Sequence, residues 1–187
     1  MFPKTRYVRT ADGVHVAYQV VGDGPYDLMY EAGWLSNIDA HWDLPDKGGF
    51  LRRLAERARL IVFDRRGSGV SDRPASVDAI TLEKGADDTL AVMDAVGSER
   101  AVFFGFEDGA SVSLLVAAAH PERATGLVLF APWVRGRWAP DYPWGDTDDE
   151  LAELDAYSWT DWGTEASARE AIEGIVPESL IDDAWLR

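Results

Sequence analysis

A chain of 187 residues with 47% hydrophobic content is long enough for one domain with a real core. Its net charge of −15 disfavours nucleic acid and anionic membrane as partners, and the lack of cysteine removes disulfides, thiolate metal sites and cysteine nucleophiles. No run of 18 apolar residues occurs, and the N-terminal Met1 to Arg6 has no apolar signal core, so the cytoplasm is the expected location. The charge is uneven: residues 141–187 hold 14 acids and two bases, against 19 acids and 16 bases before them. That acidic tail reads as solvated helix faces.

In chain order, Tyr7 to Thr10 and Val14 to Val21 are predicted strands joined by the turn signal Asp12-Gly13. Leu28 to Glu31 is the next strand, and Gly33-Trp34 opens a loop without periodicity through Trp42. Phe50 to Ala58 carries a helical apolar stripe, and Leu60 to Phe63 is a buried strand. A helix is expected from Thr81 to about Val96, stopping at Gly97. Arg100 to Phe104 reads as a strand, Ala110 to Ala119 as a helix, and Leu127 to Phe130 as a further strand. Alternating strands and helices imply an α/β domain around a mostly parallel sheet. After Pro132 the texture changes, with six of the eight tryptophans at 133, 138, 144, 159, 162 and 185. Helices are expected over Asp148 to Tyr157, capped by Thr147, over Glu165 to Glu173, and from Pro177 to the end.

Gly105-Phe106-Glu107-Asp108-Gly109 lies between a strand and a helix. Strand, tight glycine turn and helix describe a nucleophile elbow, which lifts one side chain above the end of a parallel sheet. The pattern is Gly-x-Ser-x-Gly with glutamate in place of serine. Hydrolysis from such a position needs an attacking group, a base and oxyanion donors. Glu107 is the candidate catalytic residue, as a carboxylate nucleophile, but a decayed or ligand-binding position is the favoured reading. His120, in a helix-end His-Pro pair, and His15, in an early strand, are not bases for it. His41 borders the pocket at best. Ser111 and Ser113 lie in helical surroundings and are expected to bond i−4 carbonyls, while Ser68 and Ser71 fix the backbone of their turn. The acids have no paired histidine spacing, so no metal is expected, and nothing calls for a cofactor.

These motifs resemble the α/β-hydrolase fold superfamily. Asp64-Arg65-Arg66-Gly67 through Ser71-Asp72 looks like that family's turn after its fourth strand, and the elbow and Pro121-Glu122-Arg123 fall at later family positions. More narrowly, Val14 to Pro25, Ala91 to Arg100 and Trp138 to Trp144 look like the hydrolase-type domain at the N-terminus of some bacterial class III adenylate cyclases and related regulators. The resemblance implies an α/β-hydrolase core over residues 1–132, truncated after about the sixth strand with its C-terminal part missing, and a partial helical cap over 133–187. By analogy it places the oxyanion donors at the backbone N–H groups of Trp34 and Asp108. The pocket would be walled by Gly33, Trp34, Phe106, Trp133 and Trp138. No triad histidine is in the chain. The expected function is therefore a non-hydrolytic regulatory domain that binds a small neutral or cationic molecule or a partner. The alternative is an ester or amide hydrolase with Glu107 as nucleophile and its acid and histidine on a missing segment. An exposed sixth strand would invite self-association.

Overall fold

The computed structural model describes residues 3–33, 36–133, 135–160, 163–167 and 169. The chain divides into two compact units, Met1–Val134 and Arg135–Arg187.

The first unit is built on six strands: β1 (Arg6–Arg9), β2 (His15–Val21), β3 (Asp27–Glu31), β4 (Arg59–Asp64), β5 (Ala101–Phe106) and β6 (Ala124–Phe130). Their spatial order is β1-β2-β4-β3-β5-β6. The pairs β1–β2 and β2–β4 are antiparallel, while β4, β3, β5 and β6 run parallel. The β1–β2 hairpin closes through Gly13, whose φ of 92° suits the expected Asp12-Gly13 turn. Three helices serve the sheet: α1 (Pro45–Ala55), α2 (Leu82–Ala95) and α3 (Asp108–Ala119).

Alternation along the central strands sorts the core into two layers. Leu28, Tyr30, Leu60 and Val62 pack with Leu51 of α1 and with Ile38 and Trp42 of the preceding loop. Met29, Ile61, Phe63 and Phe103 point the other way, onto Val92 and Met93 of α2 and Val112 and Val116 of α3. Each fully buried side chain of this size contributes about 1.5–3 kcal/mol relative to exposure, so a one-residue slip of β3 or β4 would invert both layers.

α1 runs from Pro45 rather than from Phe50, and it stops at Ala55 rather than Ala58. Proline at the first helical position lacks an N–H that would be orphaned there anyway, so the helix begins before its apolar stripe does. α2 starts where expected, with the Thr81 hydroxyl accepting from the Lys84 N–H at 3.2 Å.

In the second unit, α4 spans Asp148–Thr160. Thr147 and Glu150 form a reciprocal capping box: the Thr147 N–H donates to Glu150 Oε2 at 2.7 Å, and the Thr147 hydroxyl accepts from the Glu150 N–H at 3.3 Å. The preceding loop is tied by Trp138 N–H to the Asp146 carbonyl at 2.8 Å. The helix from Pro177 lies outside the described residues, as does most of the one over Glu165 to Glu173. No helix among the described residues is long and apolar enough to cross a membrane.

Candidate active site at the elbow

The elbow forms as its sequence predicts. β5 ends at Phe106, α3 begins at Asp108, and Glu107 between them takes φ 54° and ψ −120°. That conformation is uncommon for a residue with a side chain, and it is held from both directions. The Glu107 N–H donates to the Phe130 carbonyl of β6 at 2.8 Å, and its carbonyl accepts from Ala110 N–H at 3.0 Å. Both flanking glycines are required by space. A Cβ on Gly105 would lie 2.4 Å from the Ala110 Cα, and one on Gly109 would lie 2.5 Å from the Glu31 carbonyl oxygen.

The Glu107 carboxyl turns toward the loop after β3. A Cβ on Gly33 would sit 2.6 Å from Glu107 Oε2 and 3.5 Å from Asp108 Oδ1. Gly33, Glu107 and Asp108 therefore meet, and Phe106 beside them stacks on Phe130 with ring centroids 5.0 Å apart. Trp34, expected as an oxyanion donor and pocket wall, lies outside the described residues. Trp133 and Trp138 are both 46% exposed, and Trp138 belongs to the second unit.

The elbow is not the purely acidic pair that its sequence shows. Asp108 is ion-paired to Arg65, the residue that follows β4. Lys47, in the first turn of α1, lies close enough for its charge to be felt by Glu107. Its Nζ donates to the Tyr30 hydroxyl at 2.6 Å, and it sits 4.9 Å from the Tyr30 ring centre and 5.9 Å from that of Phe106. Burial pushes the Glu107 carboxyl up, the Asp108 charge adds to this, and Lys47 opposes it.

Behind the elbow, Glu31 is buried and accepts from the Thr89 hydroxyl at 2.9 Å. Burial pushes its carboxyl up to about 8, so it carries a proton at neutral pH. Glu31, Arg65, Thr89 and Gly109 line a cavity of about 10 Å³, room for no more than one water.

The other sequence candidates separate. His15 pairs with Asp72 at 2.7 Å on β2, and His120 lies 3.5 Å from Glu122 at the end of α3. His41 is buried, which holds its imidazole down at about 4 and therefore neutral. Its Nε2 accepts from the Asn37 N–H at 3.5 Å, and its Nδ1 has no partner among the described residues. Ser113 donates to the i−4 carbonyl of Gly109 at 2.9 Å, as expected. Ser111 instead donates to the carbonyl of Trp133, because the chain after β6 returns over α3. Ser71 bonds the Asp64 carbonyl and accepts from Ala17 N–H, which locks the turn after β4. Asp64 itself gathers the Ser36 hydroxyl at 2.5 Å and the N–H groups of Ile38 and Val70 at 3.1 and 2.9 Å. This carboxylate holds the loop from Ser36 to Ile38 against the end of β4.

Sequence reasoning missed Lys47, Tyr30, Arg65 and Glu31 as neighbours of the elbow. Arg65 stood inside a recognised turn. Lys47 gave no signal, because Pro45-Asp46-Lys47-Gly48-Gly49 reads as loop chemistry and the helix stripe starts only at Phe50.

A mostly parallel sheet with an elbow at the end of β5 and a carboxylate-locked turn after β4 defines an α/β-hydrolase architecture. The profile of the family described as alpha/beta hydrolase fold matches residues 33–162, and the chain belongs to that family. A Caulobacter vibrioides protein named for carbamate hydrolysis, RutD, is 32% identical over 131 residues, 68% of this chain and 45% of that protein. The esterase RhEst1 from Rhodococcus sp. ECU1013 is 31% identical with a TM-score of 0.59, over 68% of this chain and 46% of that one. A hydrolase from Pseudomonas aeruginosa PA01 superposes with a TM-score of 0.75 over 97% of this chain and 64% of that one; at 22% identity it shows the fold alone. The chain spans less than half the length of the RutD protein it matches.

Proposed function

We propose that this domain binds a small molecule at the Glu107 elbow and does not hydrolyse esters there. The observation that carries this reading is the residue raised by the elbow: a carboxylate turned onto Gly33, with the nearby hydroxyls of Ser111 and Ser113 committed to backbone carbonyls. Carboxylate attack on an ester would expel an alkoxide and leave an anhydride, which is more reactive than the ester that formed it. Such a step runs uphill without a positioned base and acid. The ligand that fits is small and neutral or cationic, with a donor for Glu107 and an acceptor for Lys47. The regulatory role follows the likeness to cyclase-linked domains, and a cytoplasmic setting goes with it. Self-association through β6 is part of the same proposal, supported by the absence of any charge from Ala124 to Phe130 and by exposed Leu127, Val128 and Phe130.

A second reading is favoured by the intact elbow geometry. A carboxylate in that position can attack a saturated carbon, as the elbow aspartate of dehalogenase-type relatives does, and form an ester that an activated water must clear.

The test is hydrolysis of p-nitrophenyl acetate and butyrate by the purified chain, Glu107→Gln and Ser111→Ala, with circular dichroism and size-exclusion on the same samples. The expected result is a folded protein with no turnover above background in any of the three. Turnover abolished by Glu107→Gln and kept by Ser111→Ala overturns the binding reading.

A further inference from the structure

Only three of the 18 basic side chains are lysines: Lys4, Lys47 and Lys84. Lys84 is an ordinary surface amine, 3.2 Å from Asp87 and 3.8 Å from Asp12. Lys47 is placed differently. Among the described residues it has no carboxylate within ion-pair distance, and its one hydrogen-bond partner is the neutral phenol of Tyr30. Its Nζ lies 4.9 and 5.9 Å from the ring centres of Tyr30 and Phe106, and close enough to Glu107 to feel its charge.

Two independent features disfavour an ammonium here. Lys47 is the third residue of α1, in the first turn, where the positive end of the helix dipole opposes a cation. It is also half-buried, which pulls its amine below the ordinary lysine value, against the Glu107 charge and the faces of the two rings. Tyr30 is itself buried, and its phenol is pushed up to about 12, so it stays protonated and cannot hold Lys47 as a phenolate partner. A desolvated lysine beside proton-transferring groups is the arrangement that makes an amine nucleophilic.

We propose that Lys47 is a carbonyl-capturing amine, and that the elbow site takes small aldehydes or ketones as a reversible imine. The inference rests on the binding reading of the same site and names the class of ligand. The lone pair of the neutral Nζ attacks the carbonyl carbon, the carbonyl π electrons move to oxygen, and one of the two nitrogen protons passes to that oxygen. The resulting carbinolamine loses its hydroxyl as water, with Glu107 in its protonated form supplying the proton, while the nitrogen lone pair forms the C=N bond. The remaining N–H proton returns to Glu107 and leaves a neutral imine. Tyr30 is the positioning residue: it accepts one N–H and fixes the direction of the lone pair.

The experiment uses the wild-type chain with propionaldehyde and with benzaldehyde at pH 7, trapped by cyanoborohydride. Peptide mass mapping then gives the rate of alkylation at each lysine. The expected result is that Lys47 is alkylated at least 10-fold faster than Lys4 and Lys84. Glu107→Gln should slow Lys47 alone, leaving the two surface lysines unchanged as internal standards. Alkylation of Lys47 no faster than that of Lys4 and Lys84 overturns the proposal. Because this readout requires no ester turnover, its failure leaves the binding reading standing, and ester hydrolysis at Glu107 defeats that reading whatever Lys47 does. Tyr30→Phe should shift the pH profile of Lys47 labelling toward lower pH without unfolding the protein; an unchanged profile removes Tyr30 from its positioning role.

Discussion

Glu107 holds φ at 54° and ψ at −120°, a backbone state that glycine enters freely and a side-chain-bearing residue enters at a cost of about 1–3 kcal/mol. Glu107→Gly would remove that strain and add roughly 0.5–1 kcal/mol of unfolded-chain entropy. The expected balance is stabilisation of about 1 kcal/mol, read as a melting temperature raised by about 2–4 °C, with the rate advantage of Lys47 over Lys84 reduced. A lower melting temperature would mean that the carboxyl contributes more through Lys47 than the backbone loses. The elbow was readable because five consecutive residues state its steric needs. Its basic partners were not, since Lys47 and Arg65 come from α1 and the turn after β4, and only the folded sheet brings them to residue 107.

At the scale of elements, the hairpin, the turn after β4 and α2 are fastened through one guanidinium. Arg66 is 2% exposed and donates to both oxygens of Asp88, at 2.9 and 2.6 Å, while Nη1 reaches Asp12 at 2.7 Å. Asp88 is fully buried, so Arg66→Met would strand its charge. Breaking such a pair from one end costs about 3–5 kcal/mol, and urea unfolding should show a loss of that order. A loss below about 1 kcal/mol would mean that Asp88 finds another partner or a proton. Asp12 is partly exposed and adds less. The sequence marked most of these elements correctly, because alternation and capping are local properties. α1 was placed late because Gly48 and Gly49 hide a helix whose start is set by Pro45 and by packing of Leu51.

For the whole molecule, two buried groups shape stability against pH in opposite senses. His41 is held at about 4 against an ordinary 6.5, so the unfolded chain binds the extra proton between those values and stability rises with pH there. Glu31 is pushed up to about 8 from 4.5, so the native state binds the extra proton and stability falls across that window. The two oppose each other up to pH 6.5, above which the Glu31 contribution continues without that of His41. Chemical denaturation should therefore show stability declining from pH 6.5 to 8, and Glu31→Gln should flatten that limb. A slope that survives the substitution would assign it elsewhere.

The Asp64 carboxylate joins residues that the ribosome releases far apart. Ser36 and Ile38 emerge early, yet the oxygens that hold them arrive only with residue 64, and Val70 closes the cradle later still. β3 likewise waits for β4 and then β5 on its two sides. The nascent chain thus carries its Gly33 loop without this anchorage until residues 64 and 70 have been made. Chaperone protection during translation would matter most in that interval, before the loop has anything to hold it.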